Sequence, residues 1–511
     1  MPGHATASLA ATSVLSPPAE AESEWDAFES QVTEFTLDNG MKFIIYERHE
    51  VPIISFHTYA NVGSSDELKG VTGIAHLFEH MAFKGTSTIG TMDLAEELHA
   101  MEREDEIFEE LRAERAARRP DATKIEKLVA DLKEATDAAR KFVVPNEFDR
   151  ILKEAGGVGL NASTSSDATR YYLSLPSNKL ELWFYLESDR FLKPVLREFH
   201  VERQVVMEER RQRVDNSPLG ALLEEFRAAA FKAHPYGEPT IGHMADIEAL
   251  SRREAEGFFR KHYVPANMTC ALVGDVDPGQ ARALAEAYFG RLPAAPPPPR
   301  PRTTEPPQMA ERVVIRHDVS QPIYIVGYHK GDINDPDWPV FRIIWDIIGR
   351  GRGSRLYRKL VIEQQVATDL GVHISYPGDK YPCLVILYAF SSKGHTAQAC
   401  HEAIAEELER FKAELVSEAE LSKAKIRARA DVIHGLESND GMAEQLATLD
   451  ALTGDWRNTF RLLKKIQAVT AEDVQRVSQT VFQIKNRTVG YIQTETPAPG
   501  DVPNASPDPK D

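Results

Sequence analysis

"RLPAAPPPPRPRTTEPPQM", residues 291–309, decides how the rest of the chain is read. Four consecutive prolines fix the backbone and withdraw its donors, so neither a helix nor a central strand can run through them. With its charged neighbours the stretch reads as a stiff, extended linker. It divides the 511 residues into two parts of comparable size, 30–290 and 310–495. Each part is long enough to bury a core of its own.

The two parts follow similar plans. The first opens with "VTEFTLDNGMKFIIYERHEVPIISFHTYANVG", where Asn39-Gly40 sits between apolar runs and predicts a hairpin, followed by another strand. It closes with "NMTCALVGDVDPGQARALAEAYFGRLP", a strand over Met268–Gly274 that turns through "DVDPG" into a helix. The second part opens with the strands "ERVVIRHD" and "QPIYIVGYHK" and the helical "DPDWPVFRIIWDIIG". It closes with "NRTVGYIQTE", an echo of "NMTCALVGDV". This order gives an α+β chain of the α/β sandwich type, built from two homologous halves related by duplication.

One segment, residues 93–146, departs from that plan. Ile125, Leu128, Leu132, Ala135, Ala139 and Phe142 step by three and four, and Leu98, Met101, Phe108 and Leu111 form a matching stripe. Pro120 breaks the helix between them. The segment reads as an inserted, projecting helical hairpin. A solvated helix pair with no part in chemistry accounts for it.

Bulk composition is that of a globular protein, 42% hydrophobic and 27% charged, and no run reaches the roughly 18 apolar residues of a membrane span. The formal net charge of −18 argues against nucleic acid as the main partner and suits a basic or neutral substrate. Cys270, Cys383 and Cys400 are odd in number and unpaired in sequence, so they read as packing residues. "ASLAATSVL" near the N-terminus is a poor signal-peptide core with no Lys or Arg before it. Residues 1–29 and 496–511 read as disordered tails. The expectation is a soluble, cytoplasmic protein, with a periplasmic location as the alternative.

Chemistry is concentrated in "GIAHLFEHMAFKGT", residues 73–86. On a helix His76 and His80, four apart, project from one face, and each neutral imidazole can give one nitrogen to a metal ion. Zinc is the usual match for two histidines plus a carboxylate. Glu79 can flank such a metal and take a proton from water, the inverted HxxEH arrangement. A catalytic zinc needs a third protein ligand. The helical "HVERQVVMEERRQRV", residues 200–214, puts Glu202 and Glu209 two turns apart on one face and turns Glu208 elsewhere. Taken alone, this stretch reads equally as a solvated charged helix.

"HLFEHMAFKGT" followed by "ERQVVMEER" resembles the pitrilysin/insulinase-type metallopeptidases, the inverzincins, and among them the short bacterial and mitochondrial-processing-type members. "LNASTSSDATRYYLSLP", "HPYGEPTIGHMADIEAL" and "YVPANMTCALVGDVD" extend the resemblance over about residues 30–495. It implies two halves, each a mostly antiparallel sheet packed with helices. It implies one zinc per chain on His76, His80 and Glu209, Glu79 as the general base that activates water, and Glu202 as an acid that orients a ligand or assists the base. It implies that Asn161, Ala162 and Ser163 begin an edge strand to which an extended peptide adds. On its own residues that strand reads as a plain edge whose Ser and Thr discourage aggregation.

Two departures from the family stand out. His80 and Glu209 are further apart than usual, which segment 93–146 explains. In "GSRLYRKLVIEQQVATDLG" the positions where active members carry Arg and, seven residues on, Tyr hold Val361 and Thr368. Neither replaces two strong donors to a developing oxyanion. Arg355, Tyr357 and Arg358 are out of register and read as structural. The chain thus carries the zinc half of a site and lacks the clamp half. The resemblance points to the zinc subunit of a heterodimer acting on unfolded peptides, with a homologous Arg/Tyr-bearing partner. A self-sufficient homodimeric peptidase, a non-catalytic assembly subunit and a peptide-binding module are the alternatives.

Overall fold

In the computed structural model, residues 28–494 are described. Both terminal tails therefore lie outside the described residues, apart from 28–29. Among the described residues, eleven strands form two sheets. The first takes β1 (Val32–Thr36), β2 (Lys42–Glu47), β3 (Ile53–Ala60), β4 (Val158–Thr164), β5 (Thr169–Pro176) and β6 (Met268–Gly274) in the order β1-β2-β6-β3-β5-β4. The second takes β7 (Arg312–Asp318), β8 (Ile323–Lys330), β9 (Ala367–Tyr376), β10 (Cys383–Ser391) and β11 (Arg487–Thr494) in the order β7-β11-β8-β10-β9.

The two orders correspond strand for strand once β1 is set aside. Each sheet has one parallel pair, β2 with β6 and β7 with β11, and every other pairing is antiparallel. The mixed sheets packed with helices bear out the sequence reading of the fold. The Asn39-Gly40 turn lies where the spacing puts it, joining Thr36 to its partner Lys42 with Gly40 at φ +93°. The three cysteines are free and buried. No helix among the described residues is long and apolar enough to cross a membrane.

Central strands such as "KFIIYE" are buried on both faces, which explains their unbroken apolar runs. One face of the first sheet packs on its own helices, with Phe43, Ile45, Phe56 and Leu272 beside Trp183, Phe184 and Phe289. The other face, with Ile44, Tyr59, Ala271 and Val273, is covered by Met442, Leu446, Trp456 and Phe460 from the second half. The exchange is reciprocal. Ile323, Ile325, Leu384 and Ile386 of the second sheet pack on Leu222 and Phe226 of a first-half helix, Pro218–Ala230. The halves are therefore interlocked and not merely tethered. Even the linker is held, since the Glu305 carboxylate accepts from the amides of Lys232, Ala233 and His234.

The segment after residue 93 folds as two helices, Leu94–Arg115 and Ala122–Ala139, capped by Asp93 and Asp121. Ile107, Leu111, Leu128 and Ala135 form the seam between them. Leu98 lies off the seam and is 47% exposed. The pair does not project freely. Arg197 enters its base, giving its guanidinium to both Glu97 oxygens (2.8 and 3.3 Å) and to the carbonyls of Lys84, Thr86 and Ile89. Arg252 bonds the Met101 carbonyl and Glu104, and Arg203 lies over the Phe108 ring. Apolar periodicity cannot register such contacts, because they are made by charged side chains.

The Arg197–Glu97 pair is almost wholly buried, at 1% and 0% exposure. Removing one partner of such a pair leaves an uncompensated charge in the interior. Glu97→Ala is expected to destabilise the protein by about 3–5 kcal/mol in urea denaturation. A loss below about 1 kcal/mol would mean that water reaches Arg197.

Candidate metal centre

We label the helix Ile74–Met81 α1, Phe199–Arg210 α2 and Pro218–Ala230 α3. Ile74, Leu77, Phe78 and Met81 bury one side of α1 in the first core, and this fixes the direction of the opposite side. Its start is set by Gly73 at φ +86°, packed so closely that an added Cβ would stand 2.6 Å from the Ile241 carbonyl oxygen. No side chain at the N-cap serves the helix. The buried Glu67 carboxylate does so instead, accepting from the amides of Gly73 and Ala75, each at 2.8 Å. Burial pushes Glu67 up to about 8, against the pull of those two amides.

α1 and α2 lie side by side, and three side chains converge between them. His76 Nε2 and His80 Nε2 stand 3.7 and 3.6 Å from the same Glu209 Oε2. His76, His80 and Glu209 are the one group of three or more such residues placed to hold a metal ion among the described residues. The separations are too long for hydrogen bonds. They are close to the roughly 3.4 Å between two donors that share one tetrahedral cation at ~2.0–2.2 Å.

The surroundings fit a metal as well. His80 turns its other nitrogen, Nδ1, to Glu202 Oε2 at 3.3 Å, the arrangement that fixes a ligating imidazole's tautomer and ring plane. The buried His76 Nδ1 has no hydrogen-bond partner. Burial, then the neighbouring His80 and Arg213, pull His76 down to about 3, so its imidazole is neutral and free to donate a lone pair. At His80 burial acts in the same direction, but the Glu202 bond and nearby carboxylates outweigh it and raise the pKa. A cation at the trio would displace that proton.

Glu202 is held in turn. Lys84 Nζ contacts Glu202 Oε1 at 2.6 Å and Glu198 Oε2 at 3.1 Å, and Arg140 Nε reaches Glu198 at 3.0 Å. Burial works to raise Glu202, but its bonds to His80 and Lys84 prevail and lower it. Arg213 pairs with the other Glu209 oxygen at 2.9 Å. Glu208 faces solvent and pairs with Arg211. Sequence reasoning missed Lys84, Glu198 and Arg213. Lys84 and Arg213 could have been found as the residues four beyond His80 and Glu209.

Glu79 is half-buried beside the trio. Burial raises its carboxyl, partly offset by hydrogen bonds with the hydroxyl and amide of Thr164. Thr164 ends β4, the open edge of the first sheet. Asn161, Ala162 and Ser163 immediately precede it on that strand; Asn161 and Ser163 are exposed and Ala162 is buried. They are not part of the converging group. The turn after β4 is gripped by the second half, with Asp167 Oδ2 accepting from the amides of Asp379 (2.7 Å) and Lys380 (3.1 Å).

In the second half, Val361 packs at the edge of the core. The Thr368 hydroxyl donates to the Phe390 carbonyl and accepts from Gln321. Arg355 forks onto Glu420 at 2.7 and 2.9 Å, and Arg358 pairs with Glu363.

Comparison with known proteins agrees with this architecture. Residues 44–108 and 139–243 match the family described as "Insulinase (Peptidase family M16)", and residues 249–427 match "Peptidase M16 inactive domain". Zinc protease PqqE of Helicobacter pylori is 28% identical over 471 residues, covering 90% of this chain and 92% of that protein. The crystal structure of a protease from H. pylori superposes with a TM-score of 0.75 at 26% identity, over 90% of this chain and 99% of that one. The periplasmic protease PqqL from Escherichia coli shares the fold at 18% identity with a TM-score of 0.66, and 90% of this chain spans 47% of its length. Two interlocked copies of one sheet plan, an HxxEH helix under the first, and sequence matches running through both halves lead to one assignment: the chain belongs to peptidase family M16.

Proposed function

We propose that this chain is a zinc metalloendopeptidase of unfolded peptides. The observation that carries the reading is the convergence of His76 Nε2, His80 Nε2 and Glu209 Oε2 with Glu79 beside them. Two imidazoles and a carboxylate suit zinc, one ion per chain, and relatives are named zinc proteases. When bound, zinc supplies Lewis acidity toward a carbonyl and makes water nucleophilic near neutral pH.

The chain's own residues supply the rest. Glu79, with its carboxyl raised by burial, is suited to take a proton from the attacking water and pass it to the leaving amine. Glu202 holds the His80 tautomer by accepting from Nδ1. A peptide pairing along β4 at Asn161–Ser163 uses backbone bonds and is led past Thr164 to Glu79, which suits sequence-tolerant binding.

Val361 and Thr368 offer no cation and no free phenol for an oxyanion. The site is therefore completed by a homologous subunit that brings Arg and Tyr, the two chains closing around the peptide. That PqqL is twice as long with one copy of this fold spanning half of it supports a paired arrangement. A homodimer in which another residue serves as the clamp is the second reading, favoured by Arg213 and Tyr376 at the site's own cavity.

The test is turnover of a quenched, unstructured peptide by the zinc-loaded chain alone. The expected result is turnover at least tenfold higher once an Arg/Tyr-bearing partner is added. Full activity of the lone chain overturns the heterodimer and leaves the homodimer.

A further inference from the structure

The two halves also correspond helix for helix. α1 follows β3, and a helix we label α4 (Trp338–Ile348) follows β8, which holds the same place in the second sheet. α2 comes after β5 with one α-helix between, and α5 (Glu418–Glu437) comes after β10 in the same way. Each of these is followed by a helix that crosses to the other half, α3 onto Ile325 and Ile386, and Asn439–Thr453 onto Ile44 and Val273.

Within α1 and α4 the match holds residue by residue. Leu77, Phe78 and Met81 are buried, as are Ile343, Ile344 and Ile347. A glycine with positive φ follows both helices, Gly85 at +102° and Gly351 at +73°. In this register His76 falls on Arg342, Glu79 on Trp345, His80 on Asp346 and Lys84 on Arg350. The directions agree as well. Glu79 bonds Thr164 on β4, the open edge of the first sheet, and Trp345 Nε1 donates to the Val372 carbonyl on β9, the open edge of the second, at 2.8 Å. As α1 faces Glu209 of α2, α4 faces Asp431 of α5.

What differs is the charge. Arg350 forks onto the two Asp431 oxygens at 2.5 and 2.7 Å, and Arg342 gives its Nη2 to the same carboxylate. Asp346, 2% exposed, takes Arg342 Nε at 3.4 Å and Arg350 Nη1 at 3.3 Å. Both guanidiniums lie over the Trp345 ring, 4.5 and 5.1 Å from its centroid. In the first half three lone-pair donors converge at a spacing that suits a cation between them. In the second half two anions converge on cations that the chain itself supplies. A guanidinium suits that place, because its planar fork serves carboxylates on two helices at once and its charge is permanent.

We propose that Arg342, Asp346, Arg350 and Asp431 are the second half's counterpart of the metal centre, with guanidinium in place of the metal ion. The cluster clasps α4 to α5 as zinc would clasp α1 to α2, and it makes the shape of the second half independent of metal. The proposal rests on the metal reading of His76, His80 and Glu209, and not on peptide turnover.

The test is hydrogen–deuterium exchange of the full chain, read by mass spectrometry with zinc bound and after its removal by a chelator. Zinc removal should speed exchange in α1 and α2 at least fivefold and leave α4 and α5 within twofold. Asp431→Asn keeps the shape of the side chain and leaves two guanidiniums without their shared anion. It should give the reverse pattern, exchange at least fivefold faster in α4 and α5 with one zinc per chain retained. A third measurement converts the cluster. Arg342→His/Asp346→His/Arg350→Gln puts two imidazoles beside a freed Asp431 and should raise zinc from one to two per chain. Exchange in α4 and α5 that follows the chelator, or that ignores Asp431→Asn, overturns the proposal. So does a folded triple variant that still holds one zinc; if the variant does not fold, the exchange comparison decides. A parent protein that holds no zinc overturns the proposal together with the metal reading, whereas one zinc in the parent with an unaffected Asp431→Asn overturns the proposal alone.

Discussion

Glu79→Gln is expected to lower peptide turnover by about 10²–10⁴-fold while leaving one zinc per chain. Gln has the shape of Glu and can still bond Thr164, so α1 and the trio should stay in place. What it loses is the ability to accept a proton. Glu79 is not among the three converging ligand atoms, which is why metal content and turnover should part company. Peptide hydrolysis and metal analysis on the same sample decide the matter. Turnover within tenfold of the parent would mean that another group moves the proton, and loss of zinc would make Glu79 a ligand.

His76→Ala should have the opposite signature, loss of the metal first and of activity as a result. Structural zinc sites bind with roughly 10–16 kcal/mol shared among four ligands. One ligand is then worth about 3 kcal/mol, so affinity should fall by at least about 10²-fold in competition with a chromophoric chelator. His76 is the more telling of the two histidines to remove. Its Nδ1 has no partner, so the change breaks no hydrogen bond. His80 would take the Glu202 bond with it. Zinc affinity within threefold of the parent would exclude His76 from the ligand set.

Helix spacing was enough to put His76, Glu79 and His80 on one face, because α1 is regular through those residues. It also put Glu202 and Glu209 on one face of α2, but not at their separate tasks. The same His80 ring stands between them, with Nδ1 toward Glu202 and Nε2 toward Glu209. That division depends on how two helices face each other, which no single-helix pattern encodes. Glu67 was hidden for a related reason, since it caps α1 from outside any helix. The strand plan was legible in both halves from Asn39-Gly40 and the echo of β6 in β11. The reciprocal covering of each sheet by the other half was not, because a strand buried on both faces looks alike whichever half supplies the cover.

The helical pair after residue 93 is a stem with a graft on it. Its roots, Glu97, Met101, Glu104 and Phe108, meet Arg197, Arg252 and Arg203, and all four precede residue 109. The family match pauses over 109–138, which holds the outer turns, Leu128 and Ala135 of the seam, and the rim pairs Arg112–Glu254 and Arg115–Glu248. Pruning that stretch to a tight turn would sacrifice the Thr136 bond to Glu104 and leave every buried arginine with its anchor. The chain has room there to gain or shed length without disturbing the helix that carries His76 and His80.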